Sequence, residues 1–376
     1  MSPMSLRSGD LVEVRSAAEI LSTLDDHGEL EALPFMPEMI PLVGRRFTVA
    51  ERAEKICDTI EYTGSRRMKD TVFLGELRCS GTAHGGCQAE CRLYWKEAWL
   101  RRVQPSDPVR LGSADGADAL AARIAKRTTK RVEVDGRSED RFMCQATELL
   151  RATTRLGTFD PRAYVRELTS GNVPIKRFLR VIGRAAVQEP LRKAGFVPAV
   201  PLPGTREKPI ESPRLGLKPG DWVQVKEPHE IAETLNAKGK NRGLWFDREM
   251  MVYCGGTYRV RRRINRLIDE PTGKMIELKS DCVTLEGVVC TGDYSHRRWF
   301  CPRQIFPYWR ETWLRRVDGP SRDVSVEEPR ATEPRATEPR AAEPRATSAT
   351  SQSTPPAPPS QSTPPPPPSQ STPPSP

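Results

Sequence analysis

An internal repeat constrains this chain more than any other feature of its sequence. With a constant offset of 211 residues, Gly9 aligns with Gly220, and the same register holds as far as Cys79 opposite Cys290. After a three-residue insertion, YWKEAWLRRV (94–103) aligns with YWRETWLRRV (308–317). Chance does not keep one register over so long a stretch. Residues 1–103 (the first copy) and 216–317 (the second copy) are therefore predicted to share one fold.

Each copy has the pattern of a small, mainly β domain. A Gly-Asp turn leads into an alternating strand around Val12 and Val14, and Ser16 with Glu19 predicts a capping box at the start of a helix. Segments such as FTVAER and VFLGELRC predict further strands. The pattern resembles an SH3-like small barrel with a helical insertion, which places the chain in the α+β class. The AHGGCQAEC and YWKEAWLRRV segments also resemble a group of uncharacterised bacterial tandem-repeat proteins, and that resemblance implies no activity.

The remaining residues form a middle region and a tail. Residues 104–215 are predicted to combine linkers with helices, one of them from Arg162 to Leu168. A second helix is predicted because apolar residues recur at helical spacing opposite a basic face, at Phe178, Leu179, Ile182 and Val187. Residues 318–376 repeat EPRAT and SQSTPP units. They are predicted to be disordered, because they hold too little apolar surface to offset the entropy of ordering.

Nine cysteines are the main chemical feature of the chain. The N-terminus lacks the apolar run of a signal peptide, and no apolar stretch is long enough to span a membrane. These features predict a cytoplasmic protein without a membrane partner, a compartment in which structural disulfides are rare. Thiolates close together on a Gly-rich loop can converge on zinc, with an iron–sulfur cluster as the alternative cofactor.

The candidate metal ligands divide between the copies. In the first copy they are Cys57, Cys79, Cys87 and Cys91, with His84; in the second they are Cys290 and Cys301, with His296. The second copy has Ile268 and Ile305 where the first has Cys57 and Cys91. Buried apolar thiols are therefore the alternative interpretation of those two cysteines.

A formal net charge of +10 favours anionic partners, whether an unknown protein, an anionic polymer or nucleic acid. Aromatic rings can stack on bases and arginines can contact phosphates. The candidate nucleic-acid residues are Tyr94, Trp95, Trp99, Arg101 and Arg102, with Tyr308, Trp309, Trp313, Arg315 and Arg316 in the second copy. The alternative is that the tryptophans belong to the core and the arginines are solvated.

The sequence lacks the motifs of several common enzyme classes, namely HExxH, GxSxG, the P-loop and the Rossmann fingerprint. Cys144 is a conceivable nucleophile, but the sequence identifies no base to activate it. The preferred hypothesis is a non-catalytic binding or adaptor protein built from duplicated, metal-stabilised β-rich modules. The alternatives are a nucleic-acid-binding protein and a metal- or thiol-dependent enzyme.

Overall fold

The structure is a computed structural model that describes residues 5–108, 116–157, 160–206, 214–279 and 281–319. The fold is mixed α+β and contains a curled, half-barrel sheet. Met1–Ser321 form one compact unit. Residues 320–376, which make up nearly all of the predicted disordered tail, lie outside the described residues.

The first copy is built around a five-stranded antiparallel sheet. Its strands and helix are β1 (Leu11–Val14), α1 (Ala17–Thr23), β2 (Glu29–Leu30), β3 (Leu33–Pro34), β4 (Arg46–Arg52), β5 (Lys55–Cys57), β6 (Ser65–Arg67), β7 (Thr71–Arg78), β8 (Arg92–Lys96) and β9 (Leu100–Arg102). Short 3₁₀ helices cover Pro37–Leu42 and Glu97–Trp99. The strand order in the main sheet is β8-β7-β4-β1-β9.

Local sequence explains the opening of this sheet. Gly9 has a φ of 92°, a left-handed conformation that glycine adopts without a Cβ clash. Val12 and Val14 point into the core. The predicted capping box is confirmed: the Glu19 N–H donates to Ser16 Oγ at 3.3 Å, and the Ser16 N–H donates to Glu19 Oε2 at 3.0 Å.

Part of the middle region packs into the first copy, where Leu120, Ile124 and Leu149 belong to the hydrophobic core. Its elements are α2 (Ala117–Ala125), β10 (Thr129–Val134), β11 (Arg137–Phe142), β12 (Thr154–Leu156), α3 (Pro161–Thr169) and α4 (Ile175–Lys193). The helix predicted from Arg162 to Leu168 is confirmed as α3. The hairpin of β10 and β11 was not predicted, because its strands are almost entirely polar. β12 pairs with β6 of the first copy.

The second copy has a sheet with the equivalent strand order. Its elements are β13 (Trp222–Val225), α5 (Pro228–Ala232), β14 (Lys240–Asn241), β15 (Leu244–Trp245), β16 (Thr257–Arg263), β17 (Arg266–Ile268), β18 (Met275–Glu277), β19 (Cys282–Leu285), β20 (Trp309–Arg310) and β21 (Leu314–Arg316). Further 3₁₀ helices cover Arg248–Tyr253 and Glu311–Trp313. The main sheet runs β20-β19-β16-β13-β21, so aligned strands occupy the same places in both sheets.

An aromatic cluster fills each core in the same way. Phe35 packs edge-on against Trp99 at a centroid distance of 5.1 Å, and Phe246 packs edge-on against Trp313 at 5.3 Å. The indole N–H of Trp99 donates to Thr23 Oγ1 at 3.1 Å. A buried indole that keeps its hydrogen bond can fill a core without leaving an unsatisfied donor.

Gln145 ties the middle region to the first copy. Its side-chain amide donates to the carbonyls of Pro34 and Tyr94 at 3.0 and 2.9 Å, and it accepts the Tyr94 N–H at 2.8 Å. All of these groups are buried, so losing the amide leaves backbone polar atoms without partners.

We expect Gln145→Ala to lower the free energy of unfolding by about 2–4 kcal/mol, because two carbonyls and one N–H lose a buried partner. Chemical denaturation of the full chain measures the change. Arg137→Ala, at an exposed position of the adjoining hairpin, is the control and should change stability by less than about 0.5 kcal/mol. Equal effects of the two variants would contradict an integral middle region.

Candidate functional site

The structure does not group the four candidate cysteine ligands of the first copy. In the described part of the chain, the only group of three or more ligand atoms within 4.8 Å of one another is Glu38, Cys79 and His84. β4 runs beside β7 as expected, but β5, which ends at Cys57, pairs with β6 instead. Cys79 and Cys91 lie on neighbouring chain segments, where the Cys79 N–H donates to the Cys91 carbonyl at 2.8 Å.

His84 is held by two acceptors. Its Nδ1 lies 2.8 Å from Glu38 Oε1, and its Nε2 lies 2.9 Å from the Met143 carbonyl. Both ring nitrogens therefore face oxygen atoms, and the ring bridges the buried Glu38 carboxylate to the backbone at Met143. Burial opposes ionisation of Glu38, but hydrogen bonds from His84 and Ala83 lower its pKa overall. A metal ion here would have to displace one of the existing partners of His84.

Cys79 completes this cluster as a neutral thiol. Burial raises its pKa well above the usual range, and the Glu38 carboxylate raises it further. Burial likewise raises the pKa of Cys91, and it raises that of Cys144 to about 11. These thiols are therefore poor nucleophiles at neutral pH, which removes the support for Cys144 as a catalytic residue.

His296 does not occupy the place of His84 in the second copy. The Cys87 N–H bonds to the His84 carbonyl, and the equivalent Cys301 N–H bonds to the Arg298 carbonyl, both at 3.2 Å. The three-residue insertion therefore puts Arg298 where the first copy has His84. His296 instead places Nδ1 2.6 Å from Glu189 of α4.

The two copies contact each other through the same backbone-to-sulfur hydrogen bond, made twice. The Cys57 N–H in β5 donates to Cys301 Sγ at 3.1 Å. The aligned residue Ile268, in β17, donates its N–H to Cys87 Sγ at 3.4 Å. Each loop cysteine thus receives an edge-strand N–H from the other copy. The sequence could not reveal this arrangement, because the partners are far apart in the chain.

A second pair of cross-copy contacts shows the same symmetry between the copies. Lys55 Nζ donates to the carbonyl of Trp299, and Arg266, which aligns with Lys55, donates to the carbonyl of Gly85 at 3.0 Å. Burial lowers the pKa of Lys55. The aligned pairs show that the same surface of each copy faces the other.

The Cys57–Cys301 contact brings two free, buried thiols together. Cys57 and Cys301 are 3% and 5% exposed, and Cys301 Sγ accepts the backbone N–H of Cys57. The Cys301 thiol lowers the pKa of Cys57 against the effect of burial, and Arg303 and Arg298 lower it further. Burial, and then Cys57, raise the pKa of Cys301.

The aromatic residues proposed to contact nucleic acid are mostly in the cores. Tyr94, Trp95 and Trp99 are buried, as are Trp309 and Trp313, whereas Tyr308 is half-buried. The neighbouring arginines already pair with carboxylates: Arg101 with Glu13, Arg102 with Asp10, Arg315 with Glu230, and Arg316 with Asp221. The buried rings cannot stack on bases, so this set acts in packing.

α4 is apolar on two faces. Its inner face packs Phe178, Val181 and Ala185 against Trp299 and Phe300 of the second copy. Its outer face presents four apolar residues, which we call the α4 ridge: Ile175, Leu179, Val187 and Leu191, exposed by 57, 63, 63 and 41%. They follow one row with a spacing of four in which Gly183 takes the middle place. The sequence predicted Leu179 and Val187 on one face with Phe178 and Ile182, but the structure divides them between two.

No helix among the described residues is long and apolar enough to cross a membrane. Comparison with known protein families, with curated proteins and with solved structures finds no match to this chain.

We expect His84→Ala to destabilise the chain by about 3 kcal/mol, because it leaves the buried Glu38 carboxylate without its side-chain hydrogen-bond partner. His296→Ala is the matched control: its partner Glu189 is less buried, so the loss should be within about 1 kcal/mol. Denaturant unfolding measures both, and elemental analysis of the purified chain accompanies it. Stoichiometric zinc in the wild type that is lost with His84→Ala would contradict the hydrogen-bonding role and restore the metal-site hypothesis.

Proposed function

We propose that this chain is a non-catalytic adaptor that binds another protein through the α4 ridge. The ridge is the observation that carries the proposal, since large contiguous apolar exposure marks interaction surfaces on soluble proteins. The two copies serve as tandem SH3-like repeats whose role is to hold α4 in place. Their equivalent strand orders and matching aromatic cores support this interpretation.

α4 is a rigid platform. It has 19 residues, which corresponds to about 28 Å of helix. Phe178 stacks on Phe300 with ring centroids 5.3 Å apart. Arg177 Nη2 donates to Asp293 Oδ1 at 2.8 Å, so an ion pair adds to the apolar anchorage. A helix fixed on its inner face can bind a partner on its outer face without a large ordering cost.

The charges around the ridge define the partner. Lys176, Arg180 and Lys193 are exposed and have no carboxylate partner among the described residues. The only acidic residue in α4 is Glu189, which is bonded to His296. An amphipathic helix with a row of apolar residues flanked by Asp or Glu is complementary to this surface.

The other candidate functions have less support. The nucleic-acid hypothesis depended on aromatic rings that are mostly buried and on arginines that are already paired. A thiol enzyme needs an accessible substrate cleft beside an activated thiol. The Cys57–Cys301 pair is activated but buried, which suits reaction with a small molecule better than turnover of a large substrate.

Replacing Leu179 and Val187 with Asp should abolish binding of the partner. Two buried acids within an apolar interface cost about 3 kcal/mol or more, equivalent to at least about a 100-fold loss of affinity. A photo-crosslinking residue at position 179 first identifies the partner in cells. Calorimetry with the purified partner then measures the affinity of wild type and variant.

Val165 provides the control, because it is 56% exposed on α3 but lies outside the α4 ridge. A crosslinker at position 165 should not capture the partner, and Val165→Asp should bind it normally. Crosslinks from position 179 only to a second copy of this chain, together with concentration-dependent dimerisation, would replace the adaptor hypothesis with self-association.

A further inference from the structure

We propose that Cys57 and Cys301 form a peroxide-responsive thiol pair whose oxidation joins the two copies through a disulfide. The proposal is independent of the adaptor function. It depends on the position of one thiol from each copy at the cross-copy contact, and on the cationic groups around them.

The backbone already holds the two sulfur atoms next to each other. Cys301 Sγ accepts the Cys57 N–H at 3.1 Å, which places one thiol of the pair directly beside the backbone of the other. Both residues belong to segments held by other cross-copy bonds. Lys55 Nζ donates to the Trp299 carbonyl, and Ser65 Oγ donates to the Arg297 carbonyl at 2.9 Å. Bond formation between the sulfurs therefore needs only a local adjustment.

Two arginines favour the thiolate of Cys57. Arg303 is buried, donates to the Cys57 carbonyl at 3.3 Å, and places the same nitrogen 4.0 Å from Cys57 Sγ. Arg298 adds a second positive charge at the place that His84 occupies in the first copy. Thiolates beside fixed cations are the reactive form of cysteine, whereas buried thiols in apolar surroundings are inert.

A cleft opens on one member of the pair. It measures about 170 Å³ and is lined by Val289, Phe300, Cys301 and Pro302, among others, but not by Cys57, so a small oxidant enters from the Cys301 side. Hydrogen peroxide is only slightly larger than water and fits such a space. Larger disulfide reagents would be excluded, which makes peroxide the chemical class that the site accepts.

The reaction balances without any other component. The Cys57 thiolate attacks one peroxide oxygen, the O–O bond breaks, and the departing hydroxide takes a proton to leave as water. The Cys301 sulfur then attacks the sulfur of the Cys57 sulfenic acid. The S–S bond forms as the S–O bond breaks, and the Cys301 proton leaves with the second water. Two thiols and one peroxide thus give one disulfide and two waters.

The molecule contains its own control for this chemistry. At the equivalent contact, Ile268 stands where Cys57 does, so Cys87 has no thiol partner. The same backbone geometry is therefore present twice, but only one place carries a pair. Ile268→Cys should create a second pair, with Cys87, if position within this contact is what allows the disulfide.

The test treats the full wild-type chain with hydrogen peroxide and maps its disulfides by mass spectrometry. We expect the loss of two thiols per chain, one Cys57–Cys301 disulfide, and a higher thermal midpoint that a reductant reverses. Cys87→Ser should give the same result. Cys301→Ser should leave a sulfenic acid on Cys57 that dimedone traps. Ile268→Cys should gain a second disulfide, between Cys87 and the thiol introduced by the substitution.

Two results would overturn the proposal. One is oxidation that first joins other cysteines, such as Cys79 and Cys91, while Cys57 and Cys301 stay reduced. The other is resistance of both thiols to peroxide until the chain unfolds. Because the wild-type chain itself gives the answer, the test does not depend on whether any variant folds.

Discussion

The reciprocal contact between the copies is the constraint on which the rest of the structure depends. Each copy has an edge strand, β5 in the first and β17 in the second. N–H groups on the outer side of such a strand are not used by its own sheet. Each copy also offers a loop with a cysteine that accepts such an N–H. A buried N–H without a partner costs free energy, and each copy supplies the sulfur acceptor for the edge-strand N–H of the other. This requirement explains why residues of both copies belong to one compact unit.

The contact is symmetric in its backbone and asymmetric in its side chains. In the first copy the loop is short, and His84 with Glu38 stabilises it. In the second copy, the three additional residues precede Arg298, which stands at the place of His84, and Trp299 and Phe300 stand where the first copy has Gly85 and Gly86. These three substitutions supply the aromatic surface on which α4 packs and one of the charges beside the thiol pair. One short loop therefore carries both features.

The sequence predicted the local features of the fold well. Alternation located the strands around Val12 and Val223, and the Ser16–Glu19 spacing identified the capping box, because each depends on residues close together in the chain. The candidate site depends on pairs such as Cys57 with Cys301, which are 244 residues apart. Periodicity carries no information on such pairs. The alignment of Cys57 with Ile268 even suggested that Cys57 was only a core residue. Both residues make the cross-copy contact through the backbone N–H, so the identity of the side chain does not reveal it.

The division of α4 into an inner and an outer apolar face could not be predicted for a different reason. In a sequence, apolar residues on two neighbouring faces of a helix look like one broad apolar face. Only the packing partner determines which of them are buried. Here the partner is the Trp299–Phe300 pair, which takes Phe178 and leaves Leu179 outside. Phe300 is also the residue immediately before Cys301 in the chain. Under the proposed oxidation, a movement of Cys301 toward Cys57 would pass through one peptide bond to the Phe300 ring that stacks on Phe178 of α4.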